Sequence, residues 1–325
     1  MKAIICPKYG PPEVLQLKQV ARPIPKDNEV LIKNNATTVL MGDCEIRGNN
    51  FPQYSLGLKL LVRLGFGIRG PRNKILGQQL AGEIKAVGKN VTRFKEGDQV
   101  FAATGLSMGA YAEYTCLRET AAITKKPVNM TFEEASTIPI GGSEALFFLN
   151  QVNITRGQRI LINGAGGSIG IIAVQLAKNN GAEVTAVDSA GKFDMVRSLG
   201  ADHVIDYLEE DFTERGETYD FIFDIVGKAP FEGCMGSLVD GGVYMLGNGS
   251  VSRGNRAGAK KQNKITLDGP ADYTSKYLVI LKSLIEGDKL KTFIDRTYLL
   301  EQMAEAHWFV EQGGKKGNVV VTVSA

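Results

Sequence analysis

Histidine is nearly absent from this 325-residue chain, which has only His203 and His307. Cysteine is scarce too: Cys6, Cys44, Cys116 and Cys234 are scattered and form no C-x-x-C pair. That spacing fits free thiols in a reducing compartment and argues against a disulfide framework. No apolar run approaches the roughly 18 residues needed to span a bilayer. The longest candidate, Leu56–Phe66, is broken by Lys59 and Arg63 and reads as an amphipathic helix. A basic block is missing as well. With a formal net charge of +3, and with Lys260-Lys261 and Lys315-Lys316 read as solvated surface, nucleic acid is not expected as a partner. The opening Met1-Lys2-Ala3-Ile4-Ile5-Cys6-Pro7 lacks the apolar core of a secretory signal and reads as a strand. The expectation is a cytoplasmic protein with no membrane insertion. No tyrosine is followed four residues later by lysine, which excludes the Y-x-x-x-K chemistry of short-chain dehydrogenases.

What is present changes character along the chain. Up to about Thr124, short β-like runs (Ala3–Cys6, Leu15–Val20, Glu29–Ala36, Gln79–Val87, Gln99–Ala102, Ala110–Cys116) are punctuated by Gly and Pro, as in an all-β segment. From there to about residue 270, about six strand-like runs alternate with helical ones: Arg159–Asn163, Glu183–Val187, His203–Ile205, Phe221–Ile225, Val243–Leu246 and Lys264–Leu267. This alternation predicts an α/β Rossmann fold, a doubly wound parallel sheet. Residues 271–325 do not continue it and are expected to pack on the N-terminal part. The expected division is therefore 1–124 with 271–325, a discontinuous β-rich domain, and 125–270, the nucleotide domain.

Within that alternation, Ile160-Leu161-Ile162-Asn163 runs into Gly164-Ala165-Gly166-Gly167-Ser168-Ile169-Gly170, and a helix follows. A glycine turn at this place lets the backbone approach a pyrophosphate, and the helix start offers N–H groups and partial positive charge. The pattern fits G-x-x-G-x-x-G; in G-x-G-x-x-G the first glycine would be Ala165. The second strand ends at Asp188, at the distance expected for a carboxylate that holds the adenine ribose. An acid there favours NAD(H) over NADP(H), although Ser189 and Lys192 could hold a 2′-phosphate if Asp188 turned away. Lys192 otherwise reads as a solvated first-turn residue.

These residues resemble a medium-chain dehydrogenase/reductase of the zinc-independent quinone oxidoreductase branch. The resemblance is carried by Met1-Lys2-Ala3-Ile4, Pro7–Leu15, Glu29–Lys33, Gln79–Gly88, Val91–Val100, Gly109–Tyr114, Ala135–Ala145, Leu199–Asp202, Tyr219–Gly227 and Gly317–Val321. It implies a GroES-like catalytic domain beside the Rossmann domain, a homodimer, and cofactor and substrate in a cleft between the domains. It also places Val226-Gly227 and Leu246-Gly247-Asn248 beside the nicotinamide.

Zinc is not expected. Where the zinc alcohol dehydrogenases have a Cys and a His-Glu pair, this chain has Leu40, Gln78 and Gln79, and Zn²⁺ needs three or four Cys, His or carboxylate ligands. His203 and His307 read as structural or surface residues. The expected chemistry is hydride transfer from NAD(P)H to a small hydrophobic electrophile that needs little activation, a quinone or enone. An enoyl-thioester reductase, and a dinucleotide-binding redox sensor without catalytic duty, remain open as alternatives.

The family run N-x-x-D-x-Y-x-R appears as Leu40-Met41-Gly42-Asp43-Cys44-Glu45-Ile46-Arg47, so Asp43 and Arg47 are kept while the Asn and Tyr are not. A linker Thr that lies by the nicotinamide in relatives is Glu144. Asp43 and Glu144 are the candidate catalytic carboxylates. Each has a structural alternative: Asp43 as a carboxylate paired with backbone or Arg, Glu144 as a helix-start acid. Gln53–Lys74, with Leu56, Leu60, Leu61, Leu64 and Phe66, is the candidate apolar lid.

Overall fold

The computed structural model describes residues 1–51 and 63–323. Two compact units emerge: Met1–Ile140 with Tyr273–Gly287 and Thr292–Ala325, and Gly141–Asp272 with Asp288–Lys291.

The first unit is built on a seven-stranded main sheet. Its spine is the long strand Glu29–Thr38, in which Val30, Leu31, Ile32, Asn34, Ala36, Thr37 and Thr38 are buried. That strand pairs antiparallel with Gln79–Val87, with Tyr114–Arg118 and with Asn318–Thr322. The closing strand Asn318–Thr322 also pairs with Ile294–Leu299. Residues nearly three hundred positions from the start thus complete the N-terminal sheet, which is why the β-α alternation stops after residue 270. Val30, Ile32, Leu80, Ile84, Val100 and Ile123 form one core. A second core joins Ile4, Cys44 and Tyr111 to Met303, Ala306 and Val310 of the late helix Met303–Glu311.

The second unit holds six parallel strands in the order His203–Asp206, Glu183–Asp188, Arg159–Asn163, Tyr219–Asp224, Leu238–Leu246, Ile265–Asp268. In chain order this is 3-2-1-4-5-6, the doubly wound arrangement anticipated from the alternation. The central strands are apolar in their middles, with Ile160, Leu161, Ile162, Ile222 and Phe223 fully buried, as a sheet covered on both faces requires. The order reverses between Arg159–Asn163 and Tyr219–Asp224. A crevice therefore opens at the carboxyl ends of these two strands, the place where ligands bind in such sheets. Among the described residues no helix is long and apolar enough to cross a membrane.

Candidate active site and dinucleotide cradle

At the reversal point the strand Arg159–Asn163 turns through Gly164 into the helix Gly170–Asn179. Gly164 has φ +88°, which L side chains rarely adopt, and a Cβ there would lie 2.7 Å from Val226. Gly170 is constrained more tightly: a Cβ would sit 2.2 Å from the carbonyl oxygen of Gly164 and 2.5 Å from that of Ala165. Gly167 would meet nothing closer than 3.5 Å, so its lack of a side chain serves the space above the turn rather than the turn itself. Ala165 is wholly buried, and Ser168 and Ile169 are half-buried at the helix start. The first-turn N–H groups of a helix have no intrahelical acceptor, and a turn this bare is one that could hold a phosphate.

Asp188 closes one side. Its Oδ2 accepts from Gly166 N–H at 2.7 Å, while Oδ1 accepts from Ser189 N–H at 2.9 Å and from Lys192 Nζ at 2.7 Å. The expected ribose carboxylate thus also braces the glycine turn. Lys192 is not a solvated first-turn residue: it is 9% exposed, ends the short 3-10 turn Ala190–Lys192, and packs where a side chain on Gly166 would go. An ion pair with Asp188 offsets the cost of that burial.

Asp224 was not anticipated and organises the other side. It is fully buried at the end of its strand, and its carboxylate accepts from Asn163 Nδ2 at 2.9 Å, Gly227 N–H at 2.8 Å, Ala229 N–H at 3.3 Å and the Tyr244 hydroxyl at 3.1 Å. Gly227 takes φ +72°, and a Cβ there would lie 2.5 Å from the Asn248 carbonyl oxygen. Gly247 N–H donates to the Asp224 carbonyl oxygen at 2.9 Å. Val226, Gly227, Leu246, Gly247 and Asn248 therefore gather at the strand ends on the Gly164 side. An aspartate ending a buried strand just before Ile225-Val226-Gly227 was the available signal for Asp224.

The first unit carries a separate polar cluster around Asp43. This carboxyl is fully buried; Oδ2 accepts from Leu40 N–H at 3.0 Å, Oδ1 from Gln78 Nε2 at 3.2 Å, and the Tyr111 hydroxyl also donates to it. Burial pushes its pKa up to about 6 against the opposing pull of these donors. Beyond Tyr111 lies His307, whose Nε2 is 3.1 Å from the hydroxyl. Its Nδ1 is 3.2 Å from an Arg47 guanidinium nitrogen and 3.3 Å from Cys44 Sγ. Arg47 also pairs with Glu311 and donates to the Gly10 carbonyl oxygen at 3.0 Å. Burial, then the Arg47 charge, hold the His307 pKa down at about 3, so the ring is neutral. His307 is a buried network residue and not a surface one; His203 is exposed, 2.9 Å from Glu183.

Comparison with known proteins places these features. Residues 26–128 match the alcohol dehydrogenase GroES-like domain, and 199–321 match a zinc-binding dehydrogenase domain. A quinone oxidoreductase of Pseudomonas aeruginosa is 31% identical over 92% of this chain and 92% of its own length. The tomato 2-methylene-furan-3-one reductase is 30% identical over 99% of this chain and 79% of its own. The chain belongs to the zinc-independent quinone oxidoreductase branch of the medium-chain dehydrogenases/reductases. The Coxiella burnetii quinone oxidoreductase structure superposes with TM-score 0.86 at 28% identity, over 100% of this chain and 99% of that one. The Escherichia coli quinone oxidoreductase, solved in complex with NADPH, gives 0.85 at 26%, over 99% and 100%.

For a member of this branch, the positions matched to zinc ligands are informative. Leu40 donates its N–H to Asp43, and Gln78 donates to the same carboxylate. Gln79 is a buried pin: its Nε2 donates to Thr38 Oγ1 at 2.5 Å and its Oε1 accepts from Ile140 N–H at 2.8 Å. Among the described residues no group of three or more His, Cys, Asp or Glu is arranged to hold a metal ion.

Glu144 lies in the second unit, half-buried in the helix Pro139–Leu149, beyond its first turn, so it is not the helix-start acid of the alternative reading. Asp43 takes the backbone half of its structural alternative, through Leu40 N–H, and forms no ion pair with Arg47. Of the expected lid, Leu56, Leu60 and Leu61 lie outside the described residues. Its remainder, including Phe66, Pro71 and Arg72, lines a cavity of about 370 Å³ with Leu76, Leu106 and Met108.

Proposed function

We propose that this protein is an NAD(P)H-dependent reductase of quinones or activated enones that works without zinc. The observation that carries the reading is the cradle at Gly164–Gly170 facing Asp224-organised strand ends, in a chain of this family. When bound, the dinucleotide supplies a hydride. The chain's own residues hold it: the Gly170 helix start faces the pyrophosphate, Asp188 the adenine ribose, and the Val226–Gly227 and Leu246–Asn248 backbone the nicotinamide end. Asp43 and Glu144 remain the candidate carboxylates, and the Asp43 cluster ties the first of them to Gln78. Relatives named as quinone, alkenal and furanone reductases support an acceptor already polarised by conjugation. The apolar wall formed by Phe66, Leu76 and Met108 supports a hydrophobic acceptor.

Both dinucleotides are admitted in this reading. Asp188 favours the free ribose diol of NADH, whereas Lys192 supplies the cation that a 2′-phosphate needs, and the pair is close to neutral as a whole. We read the protein as a cytoplasmic homodimer; the edge strand Ile265–Asp268, which leaves Ile265 half-exposed, supports the dimer. The test is steady-state oxidation of NADH and NADPH with 1,4-benzoquinone, cyclohex-2-enone, 2-alkenals and an enoyl thioester. Turnover of the first three is expected. Cofactor binding without turnover of any acceptor would replace this reading with the sensor, and a thioester preference would replace it with the enoyl reductase.

A further inference from the structure

Asp224 sits in the ladder between Asn163 on one neighbouring strand and Leu246 on the other, at the point where the strand order reverses. The ladder survives for one more residue, since Ile225 N–H donates to the Asn163 carbonyl oxygen at 3.1 Å. Beyond it, Gly227 and Ala229 turn their N–H groups back to the Asp224 side chain. Oδ1 accepts from Asn163 Nδ2 and Gly227 N–H, and Oδ2 from Ala229 N–H and the Tyr244 hydroxyl. Burial pushes the Tyr244 pKa far up, so this hydroxyl keeps the proton it donates. Two donors on each oxygen fill an acceptor-only carboxylate. A buried acid is a costly way to end a strand, and apolar packing commonly stabilises as well. What the acid adds is one fixed path for residues 225–229.

That path carries Val226 over the glycine turn. Its Cγ2 lies 2.7 Å from the position a Gly164 Cβ would take, and the side chain is still 39% exposed. An apolar group left open at ligand-binding strand ends offers a flat ring a face to rest on. The other side of the crevice is braced separately. Asp188 holds Gly166, Ser189 and Lys192, and none of these bonds to Asp224.

We propose that Asp224 is a positioning residue for the nicotinamide half of the dinucleotide: its carboxylate fixes the turn 225–229, and with it the place of Val226 and Gly227 against the ring. The inference rests on the cofactor reading above and divides the site between two acids. Asp188 braces the backbone on the adenine side, and Asp224, fully buried, acts through the turn alone. An asparagine at 224 would keep an oxygen for Asn163 and Gly227 and give its Nδ2 to the Tyr244 oxygen, which a hydroxyl allows. Only the longest bond, to Ala229 at 3.3 Å, would then go unmade. An alanine releases all four donors.

The experiment is calorimetric titration with NADH, NADPH and ADP-ribose, which lacks the nicotinamide. Wild type, Asp224→Ala, Asp224→Asn and Gly227→Ala are compared after circular dichroism and melting show which variants fold. Asp224→Ala should weaken NADH and NADPH at least about tenfold, while ADP-ribose shifts by less than about threefold. Asp224→Asn should bring NADH back to within about threefold of wild type. Gly227→Ala, which strains the turn and leaves Asp224 intact, should repeat the pattern of Asp224→Ala. In wild type, hydrogen exchange across 225–229 should slow with NADH and not with ADP-ribose.

Asp224→Ala that binds NADH as wild type does, or that loses NADH and ADP-ribose equally, overturns the positioning role. Asp224→Asn no better than Asp224→Ala overturns it too. Wild-type exchange that NADH leaves unchanged has the same force, and it decides the matter if Asp224→Ala does not fold. A wild type that binds neither dinucleotide overturns the cofactor reading and the inference with it. One that binds both and reduces no acceptor overturns the reductase reading alone, and the titrations still decide Asp224.

Discussion

His307 and Asp43 share one buried network, and their pKa values are displaced in opposite senses, which makes the acid stability of the first unit calculable. His307 is held at about 3 against an ordinary 6.5. A depressed histidine contributes stability that is present above 6.5 and lost as pH falls toward 3, because the unfolded chain binds a proton that the folded chain refuses. At about 1.4 kcal/mol per unit, the loss from pH 6.5 to 4.5 is about 3 kcal/mol. Asp43 is raised to about 6 from 3.8. Its contribution is full below 3.8 and lost as pH rises through 6, so acidification from pH 6 to 4 returns about 3 kcal/mol. Between pH 6 and 4.5 the two nearly cancel, each state holding one proton on a different group.

The perturbation is to remove one member at a time. Urea unfolding at half-unit steps from pH 7 to 4.5 should show Asp43→Asn losing about 2 kcal/mol more than wild type over that range. His307→Gln should instead gain by a similar amount relative to wild type. Carboxylates with lowered pKa values elsewhere, such as Asp98 and Asp202, contribute the same acid loss to all three proteins. The slopes are therefore compared as differences. Three parallel curves would falsify the reasoning, since they would mean that neither group changes its protons on folding.

Other outcomes follow from the cradle and the unused metal positions. Gly170→Ala, with its 2.2 Å clash on the Gly164 carbonyl, should weaken NAD(P)H binding at least about tenfold by calorimetry, without loss of the first unit's structure. Lys192→Ala should lower kcat/KM for NADPH relative to NADH by about tenfold, the loss of one charge-assisted contact; an unchanged ratio would remove Lys192 from cofactor choice. Asp224→Ala strands four donors and should cost about 3 kcal/mol or more in denaturant unfolding. Prolonged dialysis against a strong chelator should leave enone and quinone turnover unaltered, because Leu40 has no ligating side-chain atom, Gln79 has both ends of its amide engaged, and among the described residues no group of three or more His, Cys, Asp or Glu is arranged to hold a metal ion.

Much of the nucleotide unit was legible because its determinants are local. Apolar runs of four to six residues, a glycine turn and an acid at the next strand end are adjacent in sequence, and the six strands fall where those runs lie. The Asp43 network was not, because Asp43, Gln78, Tyr111 and His307 meet only through the folded sheet. A partial signal existed: Met303, Ala306, His307 and Val310 have the spacing of one buried helix face, which places His307 inside. Lys192 was misjudged for a related reason. Its burial depends on Asp188 and on the missing Gly166 side chain, and spacing alone predicts neither contact.

The bridge from Asn163 to Asp224 has a consequence for the order of events during synthesis. The glycine turn emerges with the first strand of the nucleotide unit, but the wall opposite it is 61 residues later. A nascent chain that ends before Asp224 holds a phosphate-facing helix start and nothing to close over it. Contacts this far apart in sequence form late. On the proposed cofactor reading, dinucleotide capture reports that the fourth strand has entered the sheet beside the first, and the cofactor stabilises only chains that have passed that point.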